Sequence, residues 1–444
     1  MNEGIIMEKD ILPTDLAQLK KKFAAQKQAQ ILARTVQKNG VAAASENYAA
    51  RQNLNQVFSV EVKTGKVTNQ KKSGRCWLFS TLNTLRHQFA EKYQVKDFQL
   101  SQNYNSFYDR LEKANKFYES VLETAALPLA DRRVMNLFDE PNSDGGQWSN
   151  AAALINKYGV VPQAVMPETY NSENTAEIND ALNLKLRKDG LALRDAKESG
   201  QSAEELRQLK MEFLSVVYRM LVFAFGEPPT EFDFEYRDDQ KEYHYDQKLT
   251  AQQFFQKYFT WDFDDYVCLT NAPDHQLGQV YGLPSEDYIF DGQKIAFVNT
   301  EITALKQAAI AQLKAGLTVW FGNDVLKASD RQQGILAPEF YQRGELFGAD
   351  LDLSKADRLR SREAAVSHAM TLVGVDLVAG RPTKWKVENS WGEKNGQQGY
   401  FIMSDRWFDD FVYEVIVKKE FLQSKELAIL QQTPINLAPW DSLA

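Results

Sequence analysis

Cysteine is nearly absent from this 444-residue chain, which has only Cys76 and Cys268. Two cysteines cannot form a disulfide framework, although one bridge stays possible, and such scarcity is typical of a reducing compartment. The chain start also lacks the apolar core of a secretory signal. The most apolar run, 214–225, is too short to span a membrane and is interrupted by Arg219. We therefore expect a soluble cytoplasmic protein with no membrane segment.

An excess of positive charge is absent as well. Lysine and arginine number 52 against 60 acidic residues, which gives a net charge of −8. A protein that mainly grips nucleic-acid phosphates needs a basic face, so no nucleic-acid partner is expected. The chain has no paired-cysteine metal site, no HExxH and no phosphate-binding Walker A motif. We predict neither a metal nor a cofactor.

The hydrophobic spacing predicts helices in the first half and strands in the last third, which indicates an α+β fold with two lobes. Helices are predicted over 12–39 with a stop at Gly40, from Trp77 onward, over 147–158, and over 176–226 with breaks near Gly190 and Gly200. Strands are predicted at 230–237, 368–378, 384–389, 399–403 and 411–417.

Cys76 is a candidate nucleophile because of its surroundings. It lies at the expected start of a helix and follows Lys71, Lys72 and Arg75, and both features favour a thiolate. The alternative is a small buried apolar residue, which is what most free cysteines are. For Cys268, in an apolar strand-like run, that alternative is preferred.

A cysteine nucleophile needs a base that is held by a further group. Of the four histidines, His87 is expected on the surface, His244 in an acidic loop, and His275 in a loop without an identifiable partner. His368 differs because it opens a predicted strand, and Asn389 ends the next one. Neighbouring antiparallel strands would place the amide beside the imidazole and orient it toward a thiol.

The order of these residues resembles the papain-like cysteine peptidases. Cys76 lies in the sequence GRCWLF, and Gln70 stands six residues before it. The distant His368 is followed by Asn389, which lies in ENSWG. The resemblance implies that Cys76 is the nucleophile and His368 the general base and acid. It implies that Asn389 orients His368, that Trp391 shields their contact from water, and that Gln70 donates to the oxyanion.

Other features resemble a narrower group, the aminopeptidase C and bleomycin hydrolase family. Ser73 replaces the cysteine that secreted papain-type enzymes have there, and the separation of Cys76 from His368 far exceeds their roughly 130–150 residues. Further matches are the sequences DGGQW, WFGNDV and LAPWD at 144–148, 320–325 and 437–441.

The family resemblance implies a papain-like core with helical insertions and a ring-like homohexamer. We predict an N-terminal helical arm over 1–50 and a peptidase domain over 51–444. That domain would carry an insertion at about 160–290 and a C-terminal arm at about 431–444. The resemblance also implies that the substrate backbone passes close to Gly145 and Gly146, where an ordinary turn is the alternative. The terminal carboxylate of Ala444 would hold the substrate's α-amino group.

The sequence thus predicts a thiol aminopeptidase that acts on peptides through an acyl-thioester. An endopeptidase of the same family is an alternative, because only Ser442, Leu443 and Ala444 follow Asp441, fewer than in the family pattern. Alternatives of other classes are an inactive scaffold or nucleic-acid binder on the same fold, and a Cys-His acyltransferase.

Overall fold

The structure is a computed structural model that describes residues 10–444. Within these residues no helix is both long and apolar enough to cross a membrane. The α-helices are α1 Pro13–Ala24, α2 Ala29–Ser45, α3 Tyr48–Gln52, α4 Cys76–Tyr93, α5 Gln102–Glu123, α6 Arg132–Asp139, α7 Trp148–Tyr158, α8 Tyr170–Glu173, α9 Ala176–Glu198, α10 Ala203–Phe225, α11 Ala251–Tyr258, α12 Ile302–Lys314, α13 Arg343–Phe347, α14 Lys355–Ser361, α15 Asp405–Phe411 and α16 Ser424–Leu430. The strands are β1 Val60–Glu61, β2 Phe232–Arg237, β3 Tyr243–Leu249, β4 Tyr266–Thr270, β5 Gln279–Gly282, β6 Ala296–Asn299, β7 Val319–Asn323, β8 Ser329–Asp330, β9 Ile335–Leu336, β10 His368–Val378, β11 Arg381–Glu388, β12 Tyr400–Ser404, β13 Val412–Lys418 and β14 Ile435–Asn436.

The chain divides into two compact units. The smaller unit contains the residues up to Asn53 together with 338–352. Its helix α1 has no buried residue, and α2 is interrupted at Gly40, where φ is 81°. The predicted stop at Gly40 is therefore a kink, since helical structure resumes after it. The remainder, 54–337 with 353–444, forms the larger unit and contains all the residues discussed below.

The larger unit is built on a mixed sheet of twelve strands. Its order is β14-β5-β6-β4-β13-β7-β10-β11-β12-β9-β8, with β1 also paired to β10. The central strands β13, β7, β10 and β11 are antiparallel to their neighbours in this run. The strands predicted in the last third are therefore confirmed. The separate hairpin of β2 and β3 confirms the alternating strand near 230.

Helix α4 packs against this sheet and buries its predicted apolar face. Leu78, Leu82 and Leu85 have no exposed surface. The hydroxyl of Ser80 donates to the Met370 carbonyl of β10 at 2.8 Å. The indole of Trp320 in β7 donates to the carbonyl of Trp77 at 3.1 Å. The first turn of α4, which contains Cys76, thus packs against the central strands β7 and β10.

The helices α5, α9 and α10 enclose a second apolar core. The predicted break near Gly200 is confirmed, because Gly200 has a φ of 85° between α9 and α10. The predicted break at Gly190 is wrong, since α9 continues through it. A side chain at Gly190 would lie 3.0 Å from the rings of Phe117 and Phe138, so glycine there permits close packing.

Candidate active site

Cys76 is the first residue of α4, as the sequence predicted. Its side chain is buried, and the N–H of Ala369 in β10 donates to Sγ at 3.5 Å. The contact joins the helix start to the strand residue that follows His368. The topology therefore brings the thiol and the predicted base to one place.

His368 is held by Asn389. It is the first residue of β10, and the antiparallel register with β11 brings Asn389 back beside it. The imidazole Nε2 lies 2.9 Å from Oδ1 of Asn389, and this oxygen also accepts the N–H of Ser390 at 2.7 Å. Because Oδ1 is an acceptor, Nε2 carries the proton and Nδ1 is left for the thiol. The ring of Trp391 lies 4.8 Å from the imidazole ring and covers this contact.

Gln70 joins the cysteine loop to the asparagine loop. Its backbone N–H donates to the carbonyl of Ser390 at 2.8 Å, and its Oε1 accepts the hydroxyl of Ser390 at 2.5 Å. Its Nε2 donates one proton to the carbonyl of Ser73 at 2.6 Å. An amide nitrogen has two protons, so the fixed side chain keeps one for a ligand.

Asp144 fixes the glycine pair to the cysteine loop. Its Oδ2 accepts the N–H of Gly74 at 2.6 Å, and its carbonyl accepts the indole N–H of Trp77 at 2.7 Å. A side chain at Gly146 would lie 2.7 Å from the Trp77 ring, so this glycine is required for packing. At Gly145 the nearest atom would be 3.7 Å away, and that position is open.

The nearby cations that were expected to favour a thiolate at Cys76 are either paired or exposed in the structure. The Arg75 guanidinium is buried and forms an ion pair with Glu168 at 2.8 Å, so its charge is already matched. Lys71 and Lys72 are exposed.

Burial is the largest influence on the pKa values of Cys76 and His368. It raises the pKa of the Cys76 thiol, although the N–H groups of Ala369, Trp77 and Cys76 itself act to lower it. Burial lowers the pKa of His368 to about 4, and the hydrogen bond that the imidazole donates to Asn389 acts in the opposite direction. Either charge by itself is therefore unfavourable, whereas proton transfer from Sγ to the imidazole creates two opposite charges that stabilise each other.

Comparison with known proteins supplies the family. The family model described as "Peptidase C1-like family" matches residues 10–444. Aminopeptidase G of Lactobacillus delbrueckii subsp. lactis is 51% identical over 99% of this chain and 100% of its own length. Aminopeptidase E of Lactobacillus helveticus is 50% identical over 93% of this chain and 94% of its own. The crystal structure of PepW from Lactobacillus rhamnosis HN001 (DR20) covers 98% of this chain and 99% of its own at 47% identity, with a TM-score of 0.97.

The chain belongs to the Peptidase C1-like family. The predicted resemblance is thereby confirmed: this is a papain-like member of the cysteine-type aminopeptidases, with an α+β fold.

The peptidase also contains a buried ion-pair cluster that the sequence analysis missed. Glu388 of β11 accepts from Arg86 at 2.9 Å and lies 3.1 Å from Nε2 of His87, both on α4. The prediction that His87 lies on the surface is wrong, because its ring turns inward to this carboxylate. In the sequence Glu388 is visible only as an acid directly before Asn389, and nothing local indicates that it lies beside His87. The cluster locks the cysteine helix to the asparagine strand.

The C-terminal arm of the peptidase lies along the sheet. Strand β14 pairs with β5, and the Leu443 side chain is fully buried. His275, predicted to have no identifiable partner, lies 3.0 Å from Asp274 and 3.2 Å from Asp441. These carboxylates raise its pKa to about 10, so the imidazole is cationic at neutral pH.

Not all predicted site residues come together. Gln70, Cys76, His368, Asn389 and Trp391 converge, and Gly146 contacts the cysteine helix through Trp77. Within the part of the chain that the structure describes, Ala444 forms its hydrogen bond with the Asp441 carbonyl and none with those five residues. His244 is a strand residue rather than a loop residue, stacked on Tyr236. No cluster of three potential metal ligands occurs within residues 10–444.

Proposed function

We propose that the protein is a thiol aminopeptidase that hydrolyses peptides through Cys76, His368 and Asn389. The observation that carries the proposal is the arrangement around β10. The Ala369 N–H touches Sγ, and the adjacent His368 is held through Nε2 by Asn389, so Nδ1 is left for the thiol.

The reaction follows from these contacts. The Cys76 sulfur loses its proton to Nδ1 of His368 and attacks the peptide carbonyl carbon. The resulting oxyanion accepts hydrogen bonds from the free N–H of Gln70 Nε2 and from the backbone N–H of Cys76. The carbon–nitrogen bond then breaks, and the amine leaves with the proton from His368. Water, deprotonated by His368, cleaves the acyl-thioester and releases the acid.

The proposed substrate contacts involve Gly145, Trp391 and Ala444. Gly145 offers open space for a peptide backbone, and Trp391 covers the His368–Asn389 contact. We assign the capture of the substrate's α-amino group to the carboxylate of Ala444, on the resemblance to the family. We also propose that the protein is a homohexamer and is located in the cytoplasm.

The test compares two fluorogenic dipeptides, one with a free α-amino group and one acetylated, for the wild type, Cys76→Ala and Cys268→Ala. We expect the wild type to prefer the free-amine substrate and to be stopped by a thiol alkylator. Cys76→Ala should lose at least about 10⁴-fold in kcat/KM. Cys268→Ala is the matched control and should keep alkylator-sensitive turnover.

Three outcomes would change the assignment. Turnover by Cys76→Ala at the wild-type rate would remove Cys76 as the nucleophile. Preference for the acetylated substrate would favour the endopeptidase alternative. Amine incorporation that exceeds hydrolysis would indicate an acyltransferase.

A further inference from the structure

A buried lysine that the mechanism does not use holds the glycine pair beside the cysteine helix. Lys113 of α5 is 7% exposed. Its ammonium donates to the carbonyl of Ser143 at 2.9 Å and to the carbonyl of Gly145 at 2.5 Å. A third proton goes to the carboxylate of Asp109 at 3.0 Å. An ammonium group has three protons, so each of them has an acceptor within the protein.

The carboxylate that pairs with this lysine is itself fixed. The hydroxyl of Tyr288 donates to the other oxygen of Asp109 at 2.5 Å, and the Tyr288 ring lies 5.1 Å from the Lys113 ammonium. Burial lowers the pKa of Lys113, and the charge of Asp109 acts to raise it. A buried ion pair contributes little net stability, because the desolvation of both charges offsets their attraction. The role of the pair therefore lies in what the lysine holds in place.

Lys113 fixes the direction of one peptide group. In a planar trans peptide, the C=O and the N–H point in opposite directions. The carbonyl of Gly145 points to Lys113 on α5, so the N–H of Gly146 points away from α5. Within residues 10–444, neither the N–H nor the carbonyl of Gly146 has a hydrogen-bond partner. Gly145 is exposed and Gly146 is half-buried, so a ligand can reach this segment.

The unpaired backbone groups of Gly146 are suited to an extended peptide. A bound peptide in strand conformation uses its own N–H and C=O groups to pair with such an edge. Gly146 packs against the ring of Trp77, the residue after Cys76, and Asp144 binds the N–H of Gly74 on the other side of the cysteine. A peptide that pairs with Gly146 therefore passes close to the thiol.

We propose that Lys113 is a positioning residue that orients Gly146 to pair with the backbone of the peptide substrate. This inference rests on the proposed function. Without the ammonium, the carbonyl of Gly145 loses its donor, and the peptide group between the two glycines can turn, because glycine has no Cβ to restrict it. Binding of the substrate must then also order this segment, and that entropic cost weakens the binding.

The experiment compares Lys113→Met, which keeps most of the side-chain volume and removes the N–H donors, with Lys210→Met as a matched control. Lys210 is a buried lysine as well, but its ammonium binds Asn115 and Glu119 of α5 instead of the glycine pair. A second variant combines Lys113→Met with Asp109→Asn, which removes the carboxylate charge that the single substitution leaves unmatched. This double variant decides the test if the single variant does not fold.

Two reactions are measured for each protein. Hydrolysis of the free-amine fluorogenic dipeptide depends on the substrate backbone, whereas inactivation by iodoacetamide depends only on the thiol and its base. We expect the KM of Lys113→Met to rise about 10-fold with a smaller change in kcat, because the lost hydrogen bonds form in the bound substrate as well as in the transition state. The rate of inactivation should stay close to that of the wild type. Lys210→Met should change neither reaction.

Three results would overturn the proposal. The first is an unchanged KM in the Lys113 variants. The second is an equal fall in hydrolysis and in inactivation, because the lysine would then support the whole site instead of the substrate contact. The third is a rise in KM of the same size in Lys210→Met, which would assign the effect to the loss of any buried lysine. Failure of the proposed function looks different, because the wild type would then show no alkylator-sensitive hydrolysis.

Discussion

The two sides of the candidate active site are held by different kinds of interaction. On the cysteine side, loops are fixed by buried charges: Arg75 with Glu168, and Arg110 with Asp144. On the histidine side, His368 and Asn389 are fixed by strand pairing and a neutral amide.

The two sides should therefore respond differently to substitution, one in stability and the other in catalysis. A buried charge that loses its partner is costly, so substitution of these charged residues on the cysteine side should lower the free energy of unfolding strongly. A neutral hydrogen bond between paired strands contributes about 1 kcal/mol, so substitutions on the histidine side should reduce catalysis and leave the fold.

The largest expected effect is that of Asp144→Ala. It removes the carboxylate that pairs with the fully buried Arg110 and takes an acceptor from the Gly74 N–H. We expect a loss of about 3–5 kcal/mol in the free energy of unfolding, measured by urea denaturation. Glu363→Ala, which breaks the half-exposed pair with Lys327, should change it little. Equal effects of the two variants would contradict the comparison.

Asn389→Ala should separate activity from stability. We expect kcat to fall about 100-fold, because His368 loses the group that fixes its proton and orientation. The free energy of unfolding should fall by only about 1 kcal/mol. The pH profile of kcat/KM checks the role, since a purely structural role would scale the profile without shifting it. A large stability loss with normal kcat would argue against an orienting role.

Glu388→Gln tests the link between the two sides. It removes the charge between Arg86 and His87 while keeping its shape, and should cost about 2 kcal/mol in stability. Glu426→Gln, with a hydroxyl partner, should cost less. The reverse order would show that the ion-pair cluster does not join α4 to β11 energetically.

His275→Gln should act on the C-terminal arm rather than on the whole fold, and its effect should depend on pH. The pKa of folded His275 is raised from 6.5 to about 10, so its contribution is complete below pH 6.5 and lost as pH rises through 10. Proteolysis of the C-terminal arm at pH 7 should therefore be faster in the variant. Near pH 10.5 the two proteins should be cleaved alike, and a difference that persists there would exclude this cause.

The helix and strands around the candidate site could be predicted from the sequence, because helix and strand periods are local properties. The start of α4 and the strands β10 and β11 follow from spacing. The inward turn of His87 does not, because it depends on a carboxylate about 300 positions later in the chain. Gly190 shows the same limit, since its role is set by two rings on other helices.

The ion pair between Arg86 and Glu388 joins residues 302 positions apart in the chain. Closing so long a loop has a large entropic cost, which is recovered only when both ends are present and packed. During synthesis, the helix with the thiol emerges long before β11 and the asparagine that follows it. On the proposed mechanism, the site therefore forms late in folding, and a growing chain does not become a peptidase until β11 has joined the sheet.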